Sequence, residues 1–254
     1  MHASEDMPLM RAGKESSKKH QKVKPRIQLV DLGLVIDHTL IISDMHVGYE
    51  ESLNKQGMLI PRFQFKDVEK RLKAMLEHVK PHTVVINGDM KHEFGTISNQ
   101  EWRETLAVLD LISKYADQVI LVKGNHDTIL GPIAKKRNVH IVDHFVLGDY
   151  YFCHGHVIPD NGDFKKAKTI VIGHEHPAIL LRDTIRAETY KCFLFGTYKR
   201  KRLIVLPSFN LVTQGTNVTK ENLLSPFLHQ NLRNFDVYVV GDGIYYFGKL
   251  KNIK

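Results

Sequence analysis

Short, continuous apolar runs punctuate the first two thirds of this chain, each closed by Gly or polar residues. Four of them, residues 39–42, 83–86, 119–122 and 169–172, read Thr-Leu-Ile-Ile, Thr-Val-Val-Ile, Val-Ile-Leu-Val and Thr-Ile-Val-Ile. A fifth, Tyr-Tyr-Phe-Cys, occupies 150–153. Runs of this length and bounding suit strands buried on both faces. Between them, residues 63–80 place Phe65, Val68, Leu72, Met75, Leu76 and Val79 at helical spacing, and residues 101–116 do so with Trp102, Leu106, Leu109, Leu111 and Ile112. Such spacing buries one stripe of a helix, and helices alternating with buried strands predict βαβ crossovers. Two short strands, 27–30 and 34–36, are expected ahead of the first run.

Beyond residue 176 the pattern shifts to shorter strands and tight turns, with candidates at 178–181, 190–197, 203–207 and 237–240. Gly241-Asp242-Gly243 then turns the chain into 244–247, a hairpin signal. A second, antiparallel-rich sheet packed on the first is expected. Residues 211–234 carry no clear period and read as a loop or a short helix.

Each run ends in chemistry. The motifs are Asp44-Met45-His46, Gly88-Asp89-Met90-Lys91-His92, Gly124-Asn125-His126-Asp127, His154-Gly155-His156 and Gly173-His174-Glu175-His176. Open α/β sheets bind ligands at the carboxyl ends of their strands. Five strand ends therefore deliver Asp, His and Asn side chains to one rim. Asp44 and His46 lie two apart, as do His174 and His176, so in extended backbone each pair points to one face. Carboxylate, imidazole and amide oxygen suit a divalent first-row ion such as Mn, Fe or Zn. The donors exceed what one tetrahedral ion takes, whereas two ions about 3.5–4 Å apart, bridged by a carboxylate, accommodate them. Such a pair holds a phosphoryl oxygen and lowers the pKa of water, the chemistry of phosphoester hydrolysis.

A lone His or Asp at a strand end is more often a cap or a satisfied core group. Gly-Asp and Gly-Asn are ordinary turn pairs. Their joint occurrence is what counts, since seven of the fifteen histidines fall inside these five motifs. His156 competes with His154 as a ligand.

The ordered set Asp-x-His, Gly-Asp-x-x-His, Gly-Asn-His-Asp, His-Gly and Gly-His-x-His resembles the calcineurin-like metallophosphoesterase superfamily over residues 44–176, and the flanking strands extend the resemblance to roughly 27–210. Within it, Gly88-Asp-Met-Lys-His-Glu-Phe94, Gly173-His-Glu-His-Pro177, Lys191-Cys-Phe193 and Leu206-Pro-Ser-Phe-Asn210 look most like the small, single-domain, Mre11/SbcD-related phosphoesterases of prokaryotes. Some of these are encoded beside DNA repair helicases or ligases. The resemblance implies an α/β (α+β) sandwich, two facing mixed sheets flanked by helices. It implies that Asp44, His46 and His176 hold one ion, that Asn125, His154 and His174 hold another, and that Asp89 bridges them. His126 would bind the phosphoryl group and protonate the leaving oxygen, with Asp127 orienting it. His92 would support the substrate. Manganese is the expected metal, with iron, zinc or nickel as alternatives, and DNA is the expected substrate, with a repair helicase or ligase as possible partner.

Composition adds less. At 254 residues and 43% hydrophobic content the chain can bury a large core, and one domain over 26–254 is expected. It has no apolar run near 18 residues and no apolar signal core, so a cytoplasmic protein without membrane spans is expected. Cys153 and Cys192 have no zinc-type spacing and are expected reduced. The net charge is +8, but residues 1–26 carry seven Lys and Arg against three acids, half of the excess. Residues 1–25 read as a disordered basic tail. Lys199-Arg200-Lys201-Arg202 is the cluster best placed to neutralise DNA phosphates, with Lys165, Lys166 and Lys168 nearby in sequence. Three functions compete: a DNA nuclease, a phosphodiesterase or phosphatase acting on small nucleotides, and a non-catalytic scaffold of the same fold. A scaffold would shed ligands or the His126 position, and this chain keeps both.

Overall fold

The computed structural model describes residues 20–24, 26–58, 64–93, 97–127, 137, 139–182 and 186–253. Two sheets face each other. The first has the order β1(His20–Lys24), β2(Ile27–Val30), β3(Gly33–Ile36), β4(Thr39–Ile42), β5(Thr83–Asn87), β6(Gln118–Val122), β7(His140–Val142). β1 to β4 form an antiparallel meander, and β4 to β7 are parallel. The crossovers run through α1(Tyr49–Lys55) with α2(Gln64–Val79), and through α3(Asn99–Ile112). Every residue of β5 is buried, and each such Val or Ile contributes roughly 1.5–3 kcal/mol by leaving water. That two-sided burial is why its run shows no alternation.

The second sheet follows the order β14(Thr216–Asn217), β11(Pro177–Arg182), β12(Ala187–Tyr198), β13(Lys201–Val205), β10(Thr169–Ile172), β9(Tyr150–Phe152), β8(Phe145–Leu147). The hairpin of β15(Asp236–Val240) and β16(Ile244–Lys249) is added along β12. Its two faces enter different cores. Val171, Phe193 and Ile204 point toward the first sheet, while Ile170, Ile172, Leu194, Leu203 and Val205 pack under α4(Gly162–Lys166) and residues 223–235. This is the pleat's alternation doing the sorting.

Several expectations shift. Residues 20–24 of the expected tail form β1, paired with β2, because edge backbone at Ile27–Val30 is open to a partner; residues 1–19 lie outside the described residues. Residues 211–234 hold no helix. They run as loop around β14, fastened where the buried Glu175 carboxylate accepts the Leu224 and Ser225 N–H groups at 2.9 and 2.8 Å. No helix among the described residues is long and apolar enough to cross a membrane.

Candidate metal centre

β4, β5, β6, β9 and β10 all end at one rim, and the five motifs follow their last residues. The backbone there is unusual. Asp44, His46, Asp89, His174 and His176 all have positive φ, between 46° and 66°. Non-glycine residues seldom adopt this left-handed region, and such residues concentrate at functional sites. The two Asp/His-x-His segments are therefore not extended, contrary to the spacing argument. Left-handed turns at both members of each pair, not strand alternation, bring their side chains together. Backbone bonds hold these turns: the N–H groups of Asp44, His46 and Val47 donate to the carbonyls of Gly88, Asp89 and Met90 at 2.9–3.0 Å.

Two nests of donors result. In the first, Asp44 Oδ1 lies 3.3 Å from His176 Nε2, which is 3.2 Å from His46 Nε2. In the second, His154 Nε2 lies 2.9 Å from Asn125 Oδ1 and 3.0 Å from His174 Nδ1. Asp89 stands between them, its Oδ2 at 3.8 Å from His46 Nε2 and 3.2 Å from His154 Nε2. Its Oδ1 accepts the His126 backbone N–H at 3.0 Å. Glycines make this density possible. A Cβ on Gly124 would sit 2.0 Å from Asp89 Oδ1, and one on Gly173 would sit 2.3 Å from Asp44 Oδ2.

The donor set fits divalent cations. Lone pairs of carboxylate, amide and imidazole crowd together with too few protons to satisfy one another, and a cation resolves that crowding. Burial, then the neighbouring His176, pushes His46 down to about 3; burial and His154 push His174 down to about 4. Imidazoles held neutral are in the state that binds metal. Burial alone would raise Asp44, but His176, His154 and His46 together hold it well below the carboxylate range. His154, fully buried, is pushed up to about 9: burial opposes this, and the Asp89 bond with the charges of Asp44 and Asp89 outweighs it. His156 is exposed and belongs to neither nest, its ring centroid 5.3 Å from that of His154.

His126 and His92 stand beside the first nest. Their rings stack at 5.6 Å, and His46, His92 and His126 form a third cluster of nitrogens within 4.8 Å. His126 Nδ1 donates to the His92 carbonyl, so Nε2, 3.9 Å from Asp89 Oδ2, is the nitrogen that faces the nests. Asp127 is buried within the same motif. Its carboxylate accepts the N–H groups of Gly124 and Met90, both at 3.0 Å, and so ties the β6 motif to the β5 motif. Burial, then Asp89, pushes it up to about 6.

Other supporting residues escape the motif reading. Glu101 lies three residues after the α3 cap Ser98, as in a capping box, yet its buried Oε1 accepts the N–H groups of His92 and Glu93 at 2.8 and 2.9 Å. Ser-x-x-Glu was the available signal, and it names the helix start, not this second use. Tyr49 stacks on His92 at 4.1 Å. Lys191, half-buried in β12, donates to the Ser208 carbonyl at 3.0 Å and to the Asn210 carbonyl, holding a segment whose Phe209 and Asn210 N–H groups bond Ser43 and Asp44.

The basic cluster lies elsewhere. Lys199 and Arg200 form the two-residue turn between β12 and β13, and Lys201 Nζ donates to the Lys165 carbonyl at 2.8 Å and to that of Ala167. Arg202 pairs with Thr169, at the start of β10, whereas His174 follows its end. At about 3.3 Å per residue, roughly 16 Å separates these four residues from the rim.

The family described as calcineurin-like phosphoesterase matches residues 38–242. A comparison with curated proteins finds no match. Among solved structures, the Pseudomonas putida nuclease MPE superposes with a TM-score of 0.64 at 21% identity, covering 90% of this chain and 100% of that one. The E. coli phosphoesterase YfcE matches at 14% identity over 84% of this chain and 97% of its own, with a TM-score of 0.39, an overlap too slight to bear on the fold.

Proposed function

This chain belongs to the calcineurin-like phosphoesterase family, and from that premise we propose that its rim is a dinuclear centre hydrolysing phosphodiester bonds of DNA. The observation that carries the reading is the carboxylate of Asp89 placed between two separate donor nests. Asp44, His46 and His176 would hold one ion; Asn125, His154 and His174 would hold the other. When bound, a divalent pair offsets phosphoryl charge and lowers the pKa of water. Manganese suits the mixed oxygen and nitrogen donors, as iron, zinc and nickel also do.

The chain's own residues supply the rest. His126 presents Nε2 beside the bridging carboxylate while the His92 carbonyl fixes its other nitrogen. It can therefore contact the phosphoryl group and deliver a proton to the leaving oxygen. His92 flanks it, its ring steadied by Tyr49. DNA as substrate, and a repair role alongside a helicase or ligase, are supported by the likeness to a nuclease of the same fold and by a rim on the sandwich edge. Lys199, Arg200, Lys201 and Arg202 are left out of this contact surface.

The test is hydrolysis of labelled single- and double-stranded DNA beside bis-p-nitrophenyl phosphate, with Mn supplied. Cleavage of DNA is expected. Hydrolysis of the small diester with DNA left intact would replace the nuclease by an enzyme of small nucleotides.

A further inference from the structure

A cavity of about 620 Å³ opens on the same end of the sandwich as the metal nests, between α2 and the β15–β16 turn. Its place follows from register. Val30 pairs with His20 and Gly33, at the end of the meander level with Ile42. On the other sheet Val239 pairs with Cys192, Leu194 with Val205, and Val205 with Ile172, so Val239 lies level with His174 and the 241–243 turn extends just beyond it. Two or three strand spacings of about 4.8 Å separate the cavity from the ligands, roughly 10–15 Å.

Its walls are those of a site for a flat heterocycle. Val30, Met75, Val240 and Ile244 give an apolar lining. His20 and His78 contribute imidazoles stacked at 4.8 Å with a 30° tilt. The Arg71 guanidinium is held flat by two bonds to Asp31, one of 2.6 Å from Nε. Imidazole and guanidinium faces are the surfaces on which unpaired bases stack. Among the described residues, His20 Nδ1 is buried without a hydrogen-bond partner. The lining holds two carboxylates, Asp31 and Asp242, and one guanidinium, a balance that disfavours phosphate and admits an uncharged ring. The volume falls within the roughly 300–1,000 Å³ of small-ligand sites.

We propose that this cavity receives one unpaired nucleobase of the strand whose phosphodiester is cut at the rim. The proposal rests on the polynucleotide reading above. At about 3.4 Å per stacked nucleotide, the base lies some three or four positions from the scissile bond. It sets where along a strand the enzyme engages, while the metal rim performs the reaction.

The experiment walks a single abasic position along a labelled single strand and measures KM and kcat with the Mn-loaded enzyme. One offset, three or four nucleotides from the cut, is expected to raise KM about 5- to 150-fold, the range for losing one base–aromatic stack, with kcat retained. Ala74→Trp, a substitution at an exposed α2 position that fills the cavity, should raise KM for the intact strand equally and erase the abasic effect. His78→Ala, also on the exposed face of α2, should raise KM without filling the space. Hydrolysis of bis-p-nitrophenyl phosphate should be unchanged in both variants. Cleavage with no positional effect, or an abasic effect that persists in Ala74→Trp, overturns the pocket alone. Absence of any DNA cleavage while the small diester is hydrolysed overturns the polynucleotide reading and the pocket with it.

Discussion

His126 is the residue whose substitution separates binding from chemistry. It touches the site through Nε2 and bonds the His92 carbonyl through Nδ1, but stands outside both donor nests. His126→Gln should keep the metal content of the parent and lose about 10²–10⁴-fold in rate. The loss should shrink for p-nitrophenolate, which needs little protonation on leaving; equal losses for good and poor leaving groups would remove the acid role. At the opposite extreme are Cys153 and Cys192, both buried free thiols. Burial pushes the Cys153 thiol up to about 12 and raises Cys192 as well, from an ordinary value of 9.0. A raised folded value stabilises the fold below the unfolded value, and that contribution fades as pH rises from about 9 toward 12. Neither thiol should react with iodoacetamide at pH 8 unless denaturant is added, and Cys192→Ala should show a smaller loss of stability between pH 9 and 11 than the parent.

The elements carry the proposed ligands, and their turns carry the strain. The two-residue link Lys199-Arg200 has φ of 43° and 69°, the left-handed pair that a tight hairpin requires. Replacing both by Asn-Gly relieves a penalty of roughly 1–2 kcal/mol per residue, so this variant should unfold at higher denaturant with its diesterase rate intact. Gly124 lies at the other pole, where Gly124→Ala drives a methyl into Asp89; circular dichroism should show a retained fold while metal content falls. What the sequence disclosed follows from the same physics. β4, β5, β6 and β10, with α2 and α3, were legible because burial on two faces, or on one stripe, writes itself into four to sixteen residues. β7 and β8, three residues each and half-exposed, leave no such trace, nor does β1, whose partner defines it. The left-handed turns at the ligands were illegible, because long-range bonds to Gly88 and Asp89 impose them. The bonds that Asp127 makes across to the β5 motif were illegible for a related reason: the Gly-Asn-His-Asp spacing carries no record of them.

For the whole molecule, two sheets meeting at one rim place a chelating nest on each side of a shared carboxylate. Asp44 and His46 come from β4, Asp89 from β5 and Asn125 from β6 in the first sheet; His154, His174 and His176 come from β9 and β10 in the second. The proposed centre thus closes only when the sandwich is assembled, and ion binding should raise thermal stability with the logarithm of ion concentration once that exceeds the dissociation constant. The basic cluster, at the far end of β10 and β13, has no part in that closure. The most direct test of this account is metal content by elemental analysis of the Mn-loaded protein beside Asp89→Ala. About two ions per chain in the parent and a fall toward zero in the variant are predicted. One ion per chain in the parent, or full occupancy in Asp89→Ala, would contradict the shared carboxylate on which the centre depends.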